Sequence, residues 1–162
     1  MIKLSTNHGD ILIELDKEQV PETSANFLQY VRDGHYDGTL FHRVIDGFMI
    51  QGGGMTPDFT PVPTRPPINN EAKQGLKNKV GTLAMARTND PHSATSQFFI
   101  NVADNDFLDY PGQDGWGYCA FGRVTDGMEV VEKIKAIPTT SRRGHQDVPV
   151  EDVVIEKARI VE

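Results

Sequence analysis

Apolar residues stand at Ile11, Ile13 and Leu15, with Glu14 and Asp16 on the alternate positions. That period of two is the mark of a half-buried β-strand, although Leu12 blurs its polar face. The segment Asn7-His8-Gly9-Asp10 has turn composition and joins this strand to an earlier one, Ile2 to Thr6. From Pro21 the period changes. Ser24, Phe27, Leu28 and Val31 follow helical spacing, proline's fixed φ suits a first helical turn, and Gly34 fits the stop. A β-rich centre follows, with strands over Leu40 to Ile45, Phe48 to Gln51, Thr82 to Ala86 and Gln97 to Asn101, punctuated by Gly81 and Asn89-Asp90-Pro91. Asp126, with Glu129 three residues on, forms a capping-box arrangement and starts a second helix, whose apolar stripe is Val130, Val131, Ile134 and Ile137. Val153 to Val161 reads as a last strand. Two helices among many short strands predict a closed or nearly closed sheet with the helices covering its open ends. The proline-rich stretch Thr56 to Pro67 is too short for a domain linker and reads as a long ordered surface loop.

Composition narrows the picture. A length of 162 residues favours one domain spanning 1–162, and at that size roughly two-thirds of the unfolded chain's surface can be buried. A net charge of -7 argues against a nucleic-acid or acidic-membrane partner. The single cysteine, Cys119, rules out an intrachain disulfide and sits in the apolar run Tyr118-Cys119-Ala120-Phe121, which reads as a buried, inert thiol. No apolar run follows Lys3, so no secretory signal is read, and no stretch approaches the ~18 apolar residues of a membrane span. The expectation is a soluble, cytoplasmic monomer.

The chemistry is carried by one segment, Tyr36-Asp37-Gly38-Thr39-Leu40-Phe41-His42-Arg43-Val44-Ile45-Asp46-Gly47-Phe48-Met49-Ile50-Gln51-Gly52-Gly53. It resembles the cyclophilin motif throughout, with Phe-His-Arg followed at fixed spacing by Phe-Met-x-Gln-Gly-Gly. Gly81-Thr82-Leu83-Ala84-Met85-Ala86, Ser96-Gln97-Phe98-Phe99-Ile100 and Phe107-Leu108-Asp109 resemble the family in the same order. The resemblance covers essentially the whole chain and is nearest to the short bacterial cytosolic type, including Asn7-His8-Gly9-Asp10 and Gly117-Tyr118-Cys119. It implies a mostly β fold, a closed antiparallel eight-stranded β-barrel capped by two α-helices. It also implies peptidyl-prolyl cis/trans isomerase activity on proline-containing peptides and unfolded protein chains.

That chemistry can be reasoned independently. An X-Pro bond crosses a resonance barrier of about 18–20 kcal/mol, and uncatalysed exchange takes tens to hundreds of seconds or so. No bond breaks, so no nucleophile, metal or cofactor is called for. A guanidinium aimed at the amide nitrogen stabilises the twisted state more than the planar one, and such differential binding lowers the barrier. The proline ring needs an apolar socket, and the substrate backbone needs a polar anchor. The resemblance gives these roles to Arg43 as the catalytic arginine and to Gln51 beside it, binding the substrate backbone. Phe48, Met49, Phe99 and Leu108 are the pocket walls, Ala86 and Arg87 the stretch whose backbone pairs with the residue before proline, and Gln97 a further polar residue of the groove.

Two positions depart from many eukaryotic members. Phe107 replaces a tryptophan, which keeps an aromatic wall but removes an indole N–H and implies weakened cyclosporin binding. Tyr118 replaces a pocket histidine, which implies activity that varies little between pH 6 and 8. His42 lies next to Arg43, but strand alternation puts it on the opposite face, so a structural role is read for it. The other histidines, His8, His35, His92 and His145, lack metal-ligand spacing. Asp104-Asn105-Asp106 opens like a calcium loop but lacks its glycine and its late glutamate. Gly52-Gly53-Gly54 precedes no Gly-Lys-Ser/Thr, so it is read as a strand bend or a place of close approach rather than a phosphate loop. A peptide-binding module with the same groove and no catalysis is the competing function. Arg43 favours the enzyme, because binding alone does not need that charge at the rotating bond.

Overall fold

The computed structural model describes residues 1–161. In chain order the elements are β1 (Ile2–Thr6), β2 (Gly9–Leu15), α1 (Pro21–Arg32), β3 (Thr39–Leu40), β4 (Arg43–Ile45), β5 (Met49–Gly52), β6 (Thr82–Met85), β7 (Phe98–Asn101), β8 (Ala120–Asp126), α2 (Met128–Lys135), β9 (Thr139–Arg142), β10 (His145–Pro149) and β11 (Val154–Ile160). Short 3-10 turns cover Ala72–Gln74 and Asp106–Leu108.

Nine strands form one antiparallel sheet in the order β3-β11-β1-β2-β8-β6-β7-β5-β4, and β9 and β10 form a separate hairpin. The sheet curls until its two end strands are consecutive in the chain, with only Phe41 and His42 between them. Among the described residues no full ladder closes it. The Leu40 N–H donates to the Met55 carbonyl (2.9 Å), and the Gly53 N–H donates to the Leu40 carbonyl (3.2 Å). The fold is thus the mostly β, two-helix arrangement expected, with nine ladder strands rather than eight and a seam in place of strict closure.

Alternation sorts the side chains. In β1 and β2 the cross-strand pairs Ile2–Ile13 and Leu4–Ile11 point into the barrel, where both partners are fully buried. Val44, Ile50, Leu83, Met85, Phe98, Ile100 and Phe121 reach the same interior from the other strands. Helix α1 covers one side against β11 and β8, and α2 packs on β2, β4 and β5. Phe27 on α1 is a hub, with ring centroids 5.1 Å from Tyr36, 5.4 Å from Phe98 and 5.1 Å from Phe121. The triple glycine serves this packing. A Cβ at Gly52 would strike the Leu40–Phe41 backbone, and one at Gly54 would strike the Gln97 side chain.

Several boundaries differ from the sequence reading. The expected strand Leu40 to Ile45 breaks at Phe41 and His42, where the Phe41 N–H turns to the Val153 carbonyl (2.9 Å) and its ring enters the core. The expected capping box at Asp126 does not form. Asp126 pairs with Leu12 as the last residue of β8, and Gly127 is the N-cap of α2 with φ 92°. The last strand spans Val154–Ile160, one residue shorter at each end than expected. The extent of β8 and the whole β9–β10 hairpin were not read from the sequence.

Candidate active site

The same alternation that fills the core leaves the opposite face of four strands to build a second apolar cluster. Met49, Ala84, Phe99, Leu108 and Ala120 form it, with Ile45, Phe48, Leu76, Ala86 and Tyr118 packed at its edge. Strand register fixes a single row across the sheet: Arg43 opposite Gln51, Gln51 opposite Phe99, Phe99 opposite Ala84, and Ala84 opposite Ala120. A large ring followed along the row by two alanines makes a floor with a depression beside it. Phe48 comes from the turn between β4 and β5, Leu108 from the second 3-10 turn, and Tyr118 from the strand approach to β8.

The result is a pocket of about 180 Å³ lined by Arg43, Phe48, Met49, Gln51, Ala86, Arg87, Phe99, Leu108 and Tyr118. Nine of the eleven site residues expected from the sequence therefore meet around one cavity. The tenth, Gln97, lines an adjoining pocket of about 190 Å³ that shares Gln51, Ala86 and Arg87 with the first. The eleventh, Phe107, is 54% exposed and stands on the rim, its ring stacked on Phe48 at 5.8 Å.

Arg43 is exposed, and among the described residues it pairs with no carboxylate. Its Nη1 donates a long hydrogen bond (3.4 Å) to Gln51 Oε1, and Gln51 Nε2 donates to Gln97 Oε1 (3.0 Å). A guanidinium thus sits at the mouth of an apolar socket, hydrogen-bonded to a neutral amide chain. The Ala86 N–H donates to the Gln97 carbonyl (3.0 Å). Of the Ala86-Arg87 pair, the backbone N–H without a partner among the described residues is therefore that of Arg87.

Two groups whose ionisation the fold shifts away from neutrality stand outside the pocket. His42, in the break between β3 and β4, is buried, and burial, with His145 and Arg43 adding repulsion, lowers its pKa to about 4. Cys119 is buried, and desolvation raises its pKa to about 11, so it is a protonated thiol at neutral pH.

The sequence reading missed a buried amide network that holds the walls. Asn105 Nδ2 donates to the Phe48 carbonyl (2.9 Å) and to Asn101 Oδ1 (2.8 Å). Asn101 Nδ2 donates to Asn78 Oδ1 (3.1 Å), and Asn78 N and Nδ2 donate to Asp109 Oδ1 (2.7 and 2.9 Å). Asn78, Asn101 and Asn105 are buried, so each such bond is costly to break. Asn101 directly after the apolar run Phe98-Phe99-Ile100 was the available signal.

Fold and site together define a class: the chain belongs to the cyclophilin-type peptidyl-prolyl cis-trans isomerases, and the sequence model of that family, cyclophilin type peptidyl-prolyl cis-trans isomerase/CLD, matches residues 1–160. Among individual proteins it is 60% identical over 162 residues to peptidyl-prolyl cis-trans isomerase cyp18 of Streptomyces antibioticus, covering 99% of this chain and 98% of that one. It is 58% identical over 164 residues to peptidyl-prolyl cis-trans isomerase B of Escherichia coli, covering 100% of each. A solved Cryptosporidium parvum cyclophilin, crystallised in the presence of the dipeptide Ala-Pro, matches with a TM-score of 0.79 at 29% identity, over 99% of this chain and 98% of that one.

Proposed function

We propose that this chain accelerates rotation about X-Pro bonds by seating the proline ring on Phe99 and turning Arg43 toward the amide nitrogen. The observation that carries the reading is an exposed guanidinium, without a carboxylate partner among the described residues, at the rim of a small apolar socket. Phe48, Met49, Leu108 and Tyr118 wall the ring. Gln51, bonded between Arg43 and Gln97, offers its amide to the substrate backbone, and the Arg87 N–H and Ala86 carbonyl take the residue before proline in strand fashion.

As the bond twists, amide resonance is lost and the nitrogen regains a lone pair. Arg43 meets that developing acceptor with a charge-assisted hydrogen bond it cannot make to the planar amide. An acceleration of about 10⁵ requires about 7 kcal/mol. One preorganised charged donor supplies roughly 3–4 kcal/mol, and fixing one end of the peptide while the other turns supplies the rest. The indole N–H absent at Phe107 makes cyclosporin a weak ligand on this reading.

The test is cis/trans exchange on an Ala-Pro-Phe peptide with wild type and Arg43→Ala at equal concentration. Acceleration by the wild type that falls at least about tenfold in the variant, with the fold intact, supports the assignment. No acceleration by the wild type sinks the enzyme and leaves a peptide-binding module.

A further inference from the structure

The Arg87 side chain is occupied in a way its place in the groove does not require. It is 3% exposed, and it reaches across to the loop that precedes β8. Nη2 donates to Asp114 Oδ2 (2.6 Å) and to the Gly117 carbonyl (2.8 Å), Nε donates to the same carbonyl (3.3 Å), and Nη1 donates to its neighbour's carbonyl at Thr88 (3.0 Å). The guanidinium also lies 4.3 Å from the centre of the Tyr118 ring. Asp114 is equally committed, since its Oδ1 accepts the N–H groups of Trp116 and Gly117, each at 3.1 Å. Arg87 and these backbone donors hold its carboxyl down at a pKa of about 2.

What this fixes is a pocket wall. Tyr118 follows Gly117 directly, and its N–H donates to the Leu108 carbonyl (2.8 Å), so Leu108 and Tyr118 move with the loop. Phe99 packs edge-on against the Tyr118 ring at 5.9 Å. The backbone of Arg87 faces the ligand groove while its side chain grips the far wall, so one residue ties the strand-pairing edge to the socket.

We infer that Arg87 is a positioning residue: clamped to Asp114 and Gly117, it holds Tyr118 and Leu108 at the width of a proline ring. This inference rests on the isomerase reading above. A wall that grips the ring in both planar and twisted states contributes uniform binding, so its loosening raises KM and leaves kcat.

The single tryptophan, Trp116, lies in the clamped loop, its ring edge-on to His92 at 4.5 Å. Its fluorescence reports the loop without any turnover. In Arg87→Ala, KM for the Ala-Pro-Phe peptide should rise about fivefold or more with kcat within about twofold, and acrylamide should quench Trp116 more strongly. Arg87→Lys keeps the charge but not the fork or the flat face over Tyr118, so it should recover only part of the KM.

Unchanged KM in a folded variant overturns the inference, whether or not melting temperature falls. A loss confined to kcat, or a raised KM without change in quenching, also overturns it. If Arg87→Ala does not fold, Asp114→Asn carries the test, with a smaller rise in KM expected and an unchanged KM counting against. A wild type that does not turn over fails the isomerase reading itself, and quenching in the variants then still decides whether Arg87 holds the loop.

Discussion

At the scale of single residues, the neighbours His42 and Arg43 show how one step along the chain separates structure from chemistry. Arg43 is exposed at the pocket mouth, while His42 is 6% exposed and its Nδ1 finds no partner among the described residues. The fold therefore keeps this imidazole neutral, with a pKa lowered from 6.5 to about 4 by burial first and by His145 and Arg43 after it. The unfolded chain binds the proton near 6.5, so the unfolded state holds more protons at every pH between those values. Stability then rises with pH across that window and is lost as pH falls from about 6.5 to about 4. The gap corresponds to at most on the order of 3 kcal/mol. His35, also lowered chiefly by burial, adds to the loss in the same direction. His42→Leu should flatten the slope of unfolding free energy against pH between 6.5 and 4.5 or so, leaving the part due to His35. Urea titrations at intervals across that range measure it, and an unchanged slope would show that His42 is protonated in the fold.

At the scale of elements, the start of α2 decides between two ways of making a helix end. The spacing of Asp126 and Glu129 suits a capping box, yet Gly127 is the cap, and a Cβ there would press on the Asp10 backbone. Gly127→Ala should cost about 1–3 kcal/mol, because it adds both a strained positive φ and a clash. Glu129→Ala should stay within about 0.5 kcal/mol, since no capping box depends on it. Chemical denaturation of both variants separates the two, and the reverse ranking would restore the capping box.

The same comparison shows what the sequence makes legible. Alternation at Ile11, Ile13 and Leu15 exposes β2, and Phe27 and Val31 expose α1, because each buries one face against a single core. In β8 the small Gly122 and the charged Arg123 interrupt the pattern, and Gly122 is small because it lies against the Glu14 carbonyl. The β9–β10 hairpin is mostly exposed on the β9 side, so no apolar period marks it. The break at Phe41 and His42 is set by Val153 and Gly53, which no local pattern contains. For the site, Arg43, Phe48, Met49 and Gln51 are legible in one compact motif, and the other pocket residues in short later segments that resemble the same family. The side-chain grip of Arg87 on Asp114, 27 positions away, and the Asn78–Asn101–Asn105 network depend on contacts that only the fold brings together.

At the scale of the whole molecule, one curled sheet serves two purposes by facing two ways. Its inner face, closed by α1 and α2, holds the Phe27–Phe98–Phe121 core. Its outer face carries the Arg43–Gln51–Phe99–Ala84–Ala120 row and the pocket beside it. Neighbouring residues such as Phe98 and Phe99 belong to different clusters, so packing changes on one face reach the other only through the backbone. Stability and catalysis should accordingly separate by face. Phe27→Leu removes ring packing from the inner hub and should cost about 1–2 kcal/mol, with kcat/KM of the folded protein kept within about twofold. Phe99→Ala removes the pocket floor and should lower kcat/KM by about tenfold or more, since a loss of ~1.4 kcal/mol of binding already has that effect. Urea midpoints paired with exchange rates on the same preparations read both quantities. If Phe27→Leu lowered kcat/KM as far as Phe99→Ala while remaining folded, the two faces would act as one body, and the pocket's shape would depend on the core rather than on the clamp and amide network that surround it.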